Sequence, residues 1–147
     1  METRSSHSLL SRTDGIANSM TDTILLVARI MVALVFLMTA WGNSPNPGYL
    51  TSLGYPSPPA FSTLAIAVEW IISVTLILGI GTRYGAVLGL LYVIVATVTA
   101  HRYWQYPAAQ QGVQYIFFTK NLAIFGGLLL VFVNGAGRYS IDRMLAR

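Results

Sequence analysis

"AIAVEWIISVTL", residues 65–76, sets one carboxylate, Glu69, inside a run that is otherwise almost wholly apolar. Extended from Ala60 to Gly79, the run reaches the roughly 20 helical residues needed to cross about 30 Å of bilayer hydrocarbon. It therefore predicts a transmembrane helix with a charge near its midplane. Three more segments have the same length and character: residues 22–41, 84–104 and 114–135. The chain of 147 residues is 54% hydrophobic and only 10% charged, against about 25% charged in an average soluble domain. The fold class expected is an all-α membrane protein, a bundle of four transmembrane helices in one domain spanning residues 22–142. Residues 1–21 read as a polar, loosely ordered tail and residues 143–147 as a short terminal end. A cleaved signal peptide fits the first segment poorly. Its apolar stretch from Ile24 to Ala40 is too long for an h-region, and Met38 breaks the small-residue rule for a cut after Ala40.

Loop charges predict the orientation. With a cytoplasmic N-terminus, Arg4, Arg12, Arg83, Arg138, Arg143 and Arg147 share that side and Arg102 alone falls outside, so both termini are expected in the cytoplasm. Trp41 and Trp104 then mark the outer interface. Arg83, Arg138 and Arg143 sit at helix ends, where they suit carbonyl termini and anionic headgroups. The short link "GIGTR", residues 79–83, predicts a tight turn. The longer outer loop, residues 42–59, carries five of the six prolines. Its middle, Tyr49 to Leu53, could be a helical turn covering the bundle mouth or a solvated linker. Gly81, Gly85 and Gly89 recur every four residues and predict close helix packing within the bundle.

Composition also narrows the function. The nine basic residues are scattered, which disfavours nucleic acid, and a chain without cysteine holds no dithiol or thiolate metal site. No metal, nucleotide or activated-nucleophile motif is present; His7 lies in the polar tail, far in sequence from His101. The informative residues are the polar ones inside the spans: Arg29, Glu69, His101, Lys120 and Asn121. Measured from the span ends at about 1.5 Å per residue, Glu69 stands near the midplane, with Arg29 and Lys120 each about 5 Å away along the axis. A charge at that depth must be paired or wet. The five residues are thus a candidate inward-facing ligand or proton site, and a Glu69–Arg29 bridge that only ties helices is the competing reading.

The chain resembles the DoxX family of small bacterial four-helix membrane proteins. The resemblance rests on Arg29 in "LLVARIMVALVFLMTAWG", on "LGYPSP", on Glu69 in "AVEWIISVTLILGIGTR", on His101 closing the third span and on "GAGRYSIDR", residues 135–143. Arg29, Glu69, His101, Asn121, Gly137 and Asp142 match the family pattern. Many relatives carry a lysine just after the glycine that closes the first helix; here Gly42 is followed by "NSPNPG", and Lys120 is the candidate to supply that charge. The resemblance implies a multi-pass inner-membrane protein. Related DoxD-type proteins are subunits of a thiosulfate:quinone oxidoreductase, and some DoxX proteins associate with sulfurtransferase and superoxide-detoxifying partners. The expected role is a membrane subunit or anchor of an oxidoreductase-linked complex, with quinone as the ligand class and a soluble or membrane redox partner. A small transporter and a non-catalytic assembly factor are the alternatives. Catalytic residues and oligomeric state are left open.

Overall fold

The structure, a computed structural model, describes residues 3–146 in backbone and residues 13–146 in side chains. Among the described residues six α-helices follow one another: α1 (Thr3–Trp41), α2 (Pro47–Ser52), α3 (Pro58–Leu78), α4 (Thr82–Ala100), α5 (Ala108–Asn134) and α6 (Ile141–Leu145), with a 3-10 turn at Tyr103–Gln105. Four of them are long and apolar enough to span a membrane. No strand occurs among the described residues.

Helix boundaries follow local chemistry. Pro58 and Pro59 open α3 with φ already set and no amide to satisfy, and Gly79 closes it in the left-handed region at φ 66°. Gly135, at φ 73°, stops α5. The third span runs Thr82–Gln105: helix α4 ends at Ala100, and the 3-10 turn carrying Trp104 completes it. The fourth begins at Ala108, before the apolar stretch, because Pro107 precedes residues that propagate a helix whether or not they are buried. The first departs most: Thr3–Trp41 is one helix, so residues 3–21, expected as a loose tail, are helical, and the span within that helix runs Thr13–Trp41. Extending a nucleated helix costs far less than starting one, and no proline interrupts it. The side chains of Arg4 and Arg12, and Arg147 altogether, lie outside the described residues.

The spans form two antiparallel pairs. α1 packs most extensively on α3 and α4 on α5, while α3–α4 and α1–α5 touch less. Ser73 Oγ, which donates to the Glu69 carbonyl of its own helix at 2.7 Å, lies 3.4 Å from the Ala33 carbonyl, and this contact records the register of α1 against α3. α3 meets α4 at Gly85, where an added Cβ would overlap the Thr75 side chain; at Gly89 it would lie 3.1 Å from Leu128 of α5. Both glycines therefore face neighbours within the chain. Ala33, Ile72, Leu76, Ala86 and Leu128 form the dry centre.

That centre fills the half of the bundle nearer the chain termini, the terminal end. The opposite end carries α2. This helix is opened by Pro47 and capped by Asn46 Oδ1, which accepts the Tyr49 N–H at 2.9 Å.

Candidate functional site

Glu69 occupies the buried stripe of α3 with Ile72, Ser73 and Leu76, at the spacing that lines one helix face. It is 3% exposed. Tyr92 Oη of α4 donates to Glu69 Oε1 at 2.6 Å, and its ring meets Phe36 of α1 edge-on at 6.1 Å. The second carboxylate oxygen, Oε2, is buried and has no hydrogen-bond partner among the described residues. The Thr39 hydroxyl of α1, on the same cavity, donates instead to the Phe36 carbonyl at 2.9 Å.

Glu69 borders a cavity of about 710 Å³ between the two helix pairs, in the half nearer α2. Its walls are mostly aliphatic and aromatic, with polar groups at two levels. Glu69 and Tyr92 form the deep level. The shallow level holds Asn121, whose Nδ2 donates to Thr97 Oγ1 at 3.0 Å, and His101, whose Nδ1 lies 2.9 Å from Gln114 Oε1. The His101 ring packs on Phe117 at 5.2 Å, and Lys120 Nζ lies 5.0 Å from the same ring's centroid. Lys120 is exposed yet lines the cavity, so a cation stands at its edge on α5.

The end of the cavity beyond this level is covered by the loop carrying α2. Tyr55 Oη donates to Thr99 Oγ1 at 2.9 Å and Ser62 Oγ to the Pro45 carbonyl at 2.7 Å, fastening the loop to α4 and α3. Tyr49 Oη reaches the Ala100 carbonyl at 3.4 Å, and Leu50 is buried beneath. Burial, followed by the neighbouring Tyr106 and Tyr55, pushes the Tyr49 phenol up to about 12, so this cover stays neutral at physiological pH. Of the two readings of Tyr49 to Leu53, the helical turn over the mouth is the one adopted.

Of the five in-span residues singled out from sequence, the structure brings Glu69, His101, Lys120 and Asn121 to this cavity and keeps Arg29 apart. Arg29, 1% exposed, donates from Nη1 to the Ala136 carbonyl and from Nη2 to the Tyr139 carbonyl at 2.8 Å. Its pairing with Glu69, proposed from depth, is not made. The register explains why. Ala33 stands opposite Ser73, so Arg29 falls beside the end of α3 and about two helical turns, roughly 12 Å, from the level of Glu69. Depth measured from Asp22 placed Arg29 too near the midplane, because α1 continues past the α3–α4 turn instead of ending level with it.

At the terminal end Arg29 belongs to a latch. Asp142 accepts N–H bonds from Gly81 at 2.7 Å and Thr82 at 3.0 Å, capping α4 from another segment of the chain, and its own N–H donates to Gly79 O at 2.8 Å. Burial pushes the Asp142 carboxyl up, but the N–H groups of Thr82 and Gly81, with Arg29 nearby, outweigh it and hold the carboxyl below its usual value. Asp22 Oδ1 accepts the Arg138 N–H at 2.9 Å. Arg83 reaches the Val133 carbonyl at the end of α5 at 3.4 Å, and Arg138 and Arg143 are exposed on the same end.

Tyr92 and Gln114 escaped the sequence reading as site residues. For Tyr92 a signal existed: a phenol in mid-span, where its hydroxyl needs a partner. Tyr49 and Tyr55 resemble any interfacial tyrosines until the loop folds back. Among the described residues no group of three or more His, Cys, Asp or Glu is placed to hold a metal ion.

Fold and site together define a multi-pass membrane protein of four spans, with a carboxylate-bearing cavity under a helical cover. The DoxX sequence profile matches residues 24–102, from α1 through the end of α4, and the chain belongs to the DoxX family. It is 35% identical to the inner membrane protein YphA of Escherichia coli (strain K12) over 124 residues, covering 82% of this chain and 89% of that protein. It is 30% identical to the inner membrane protein YqjF of the same organism over 128 residues, covering 84% and 93%. It also matches the ER-derived vesicles protein ERV29 of Saccharomyces cerevisiae (strain ATCC 204508 / S288c) at 28% identity, over 81% of this chain but 33% of that longer protein. No solved structure matches. The protein is a multi-pass inner-membrane protein.

Proposed function

We propose that the protein is a membrane subunit of an oxidoreductase-linked assembly and that its cavity holds a quinone headgroup. The observation that carries this reading is the unpartnered, buried Glu69 Oε2 in a mostly apolar cavity of about 710 Å³, within the range of about 300 to 1,000 Å³ typical of small-ligand sites. A buried carboxyl oxygen without a partner costs free energy, and a ligand that pairs with it recovers that cost.

Quinones are apolar rings with acceptor oxygens, and their reduced forms carry hydroxyl donors. Protonated Glu69 would donate from Oε2 to a ring carbonyl, and ionised Glu69 would accept from a ring hydroxyl. Tyr92 holds the other oxygen in either state and orients the carboxyl. Asn121, His101 and Lys120 offer donors at the shallow level, so the two polar levels suit the two oxygens of one ring. Electrons would pass to or from a redox partner, soluble or in the membrane. The basic terminal end, with Arg83, Arg138 and Arg143, faces the cytoplasm on this reading, and the cavity lies in the outer half.

Decylubiquinone or a short-tailed menaquinone added to purified protein in nanodiscs should raise the melting temperature, and Glu69→Gln should change the response. No shift with either quinone would overturn the proposal. Permeation has less support, because Ile72, Leu76 and Leu128 are wholly buried and pack the bundle on the terminal side of Glu69.

A further inference from the structure

The cavity has an asymmetric boundary. Toward the terminal end it stops at the packed centre, and toward the opposite end it is covered by the strapped α2 loop. Laterally it lies in the slot between the two helix pairs. α3 and α4 pack tightly where Gly85 meets Thr75. Farther along, Ala65 and Val68 of α3 and Tyr92 and Ala96 of α4 line the cavity, and the Tyr92–Glu69 bond crosses between the two helices at its deep end.

The same cavity wall continues to Leu64, Leu91 and Val95, which are 59%, 58% and 54% exposed on the outside of the bundle. In a spanning helix such residues face acyl chains. An apolar route thus runs from the lipid-facing surface between α3 and α4 to Glu69. The α5 side of the cavity carries the Lys120 ammonium instead, over the Phe117 ring.

We infer that the cavity is filled from the lipid phase through the α3–α4 mouth, and that its ligand is a bilayer-dissolved amphiphile whose apolar tail stays in that mouth while its polar head reaches Glu69. The inference rests on reading the cavity as a ligand site, and it adds the route and the requirement for a tail. A water-soluble ligand would have to pass the tyrosine-fastened cover or the Lys120 edge. An amphiphile already in the bilayer meets Leu64, Leu91 and Val95 first, and polar groups only where Tyr92 and Glu69 stand.

The chain has no cysteine, so single cysteines report access without background. Val68→Cys places a thiol on the cavity wall, Leu64→Cys one on the lipid-facing surface and Ser52→Cys one on the exposed face of α2. Each variant in nanodiscs is treated with an N-alkyl maleimide that partitions into lipid and with a charged, membrane-impermeant maleimide. The lipophilic reagent should label Val68→Cys within about tenfold of the rate at Leu64→Cys. The charged reagent should be about 100-fold slower there than at Ser52→Cys, as expected for carrying a fixed charge into an apolar slot.

Adding Ala96→Trp at the mouth should slow lipophilic labelling by about tenfold, because passage then needs the helices to part. Ala65→Phe, on the facing helix, serves the same purpose if Ala96→Trp does not fold. Charged labelling of Val68→Cys as fast as at Ser52→Cys, or lipophilic labelling unaffected by the mouth substitution, would overturn the inference. Protection of Val68→Cys by decylubiquinone is read in parallel. Loss of protection with the labelling pattern intact would refute quinone as occupant and leave the lipid route standing.

Discussion

Replacing Arg29 by methionine tests the division of the polar residues into two groups. The guanidinium makes two charge-assisted bonds to the carbonyls of Ala136 and Tyr139 from a nearly inaccessible position. Such bonds contribute about 1.5–3 kcal/mol each. Methionine recovers part of this by filling the volume with apolar atoms, and it removes a buried Nε that has no partner among the described residues. The expected net loss is about 2–4 kcal/mol. Because the lost bonds hold residues 136–142 against the bundle, the loss should be local as well as global. At about 1.4 kcal/mol per tenfold change, local opening of the tail should rise roughly 30-fold or more. Tryptic cleavage after Arg138 and Arg143 in nanodiscs at neutral pH reads that opening, and thermal unfolding followed by tryptophan fluorescence reads the global loss. Cleavage unchanged from wild type would refute the latch.

A double-mutant cycle with Glu69→Gln tests the separation itself. At the backbone spacing of about 12 Å, with an effective dielectric of about 20, two unit charges couple by about 1.4 kcal/mol at most, against about 4 kcal/mol for a contact pair at 4 Å. A measured coupling near the larger figure would show that Arg29 and Glu69 are bridged and that α1 and α3 do not pack with Ala33 opposite Ser73.

Tyr92→Phe should destabilise the protein by about 1–3 kcal/mol and weaken quinone binding, since the donor that holds Glu69 Oε1 is then lost; equal stability and equal affinity would argue against the Tyr92–Glu69 bond. Gly85→Val should cost about 1–3 kcal/mol in unfolding measurements, because its side chain overlaps Thr75 where α3 and α4 pack closest, and a neutral effect would refute that packing. The Asp142 carboxyl is held low in the folded state, so its contribution is full above its unfolded pKa of about 3.9 and is lost as pH falls through the lower folded value. Melting temperature should therefore drop more between pH 5 and pH 3 for the wild type than for Asp142→Asn, and identical pH profiles would remove Asp142 from the latch.

The linear sequence determined the membrane class, the four spans and the inward placement of Glu69. Those properties depend on span length, on the cost of charge in hydrocarbon and on a side chain too short to reach either surface, all of which are local. Helix ends at Gly79 and Gly135 were legible for the same reason, since positive φ favours a residue without Cβ. The tertiary structure alone decided which polar groups share a site. Depth counted from the ends of apolar runs assumes that all helices end level. Here α1 continues past the α3–α4 turn and α5 begins before its apolar run. Register depends instead on contacts between helices, Ser73 with Ala33 and Gly85 with Thr75, and these place Arg29 with the carbonyls of the C-terminal segment. The same contacts leave Glu69 with one oxygen held by Tyr92 and the other facing a cavity, an arrangement set by the packing of α3 against α4 rather than by any spacing along the chain.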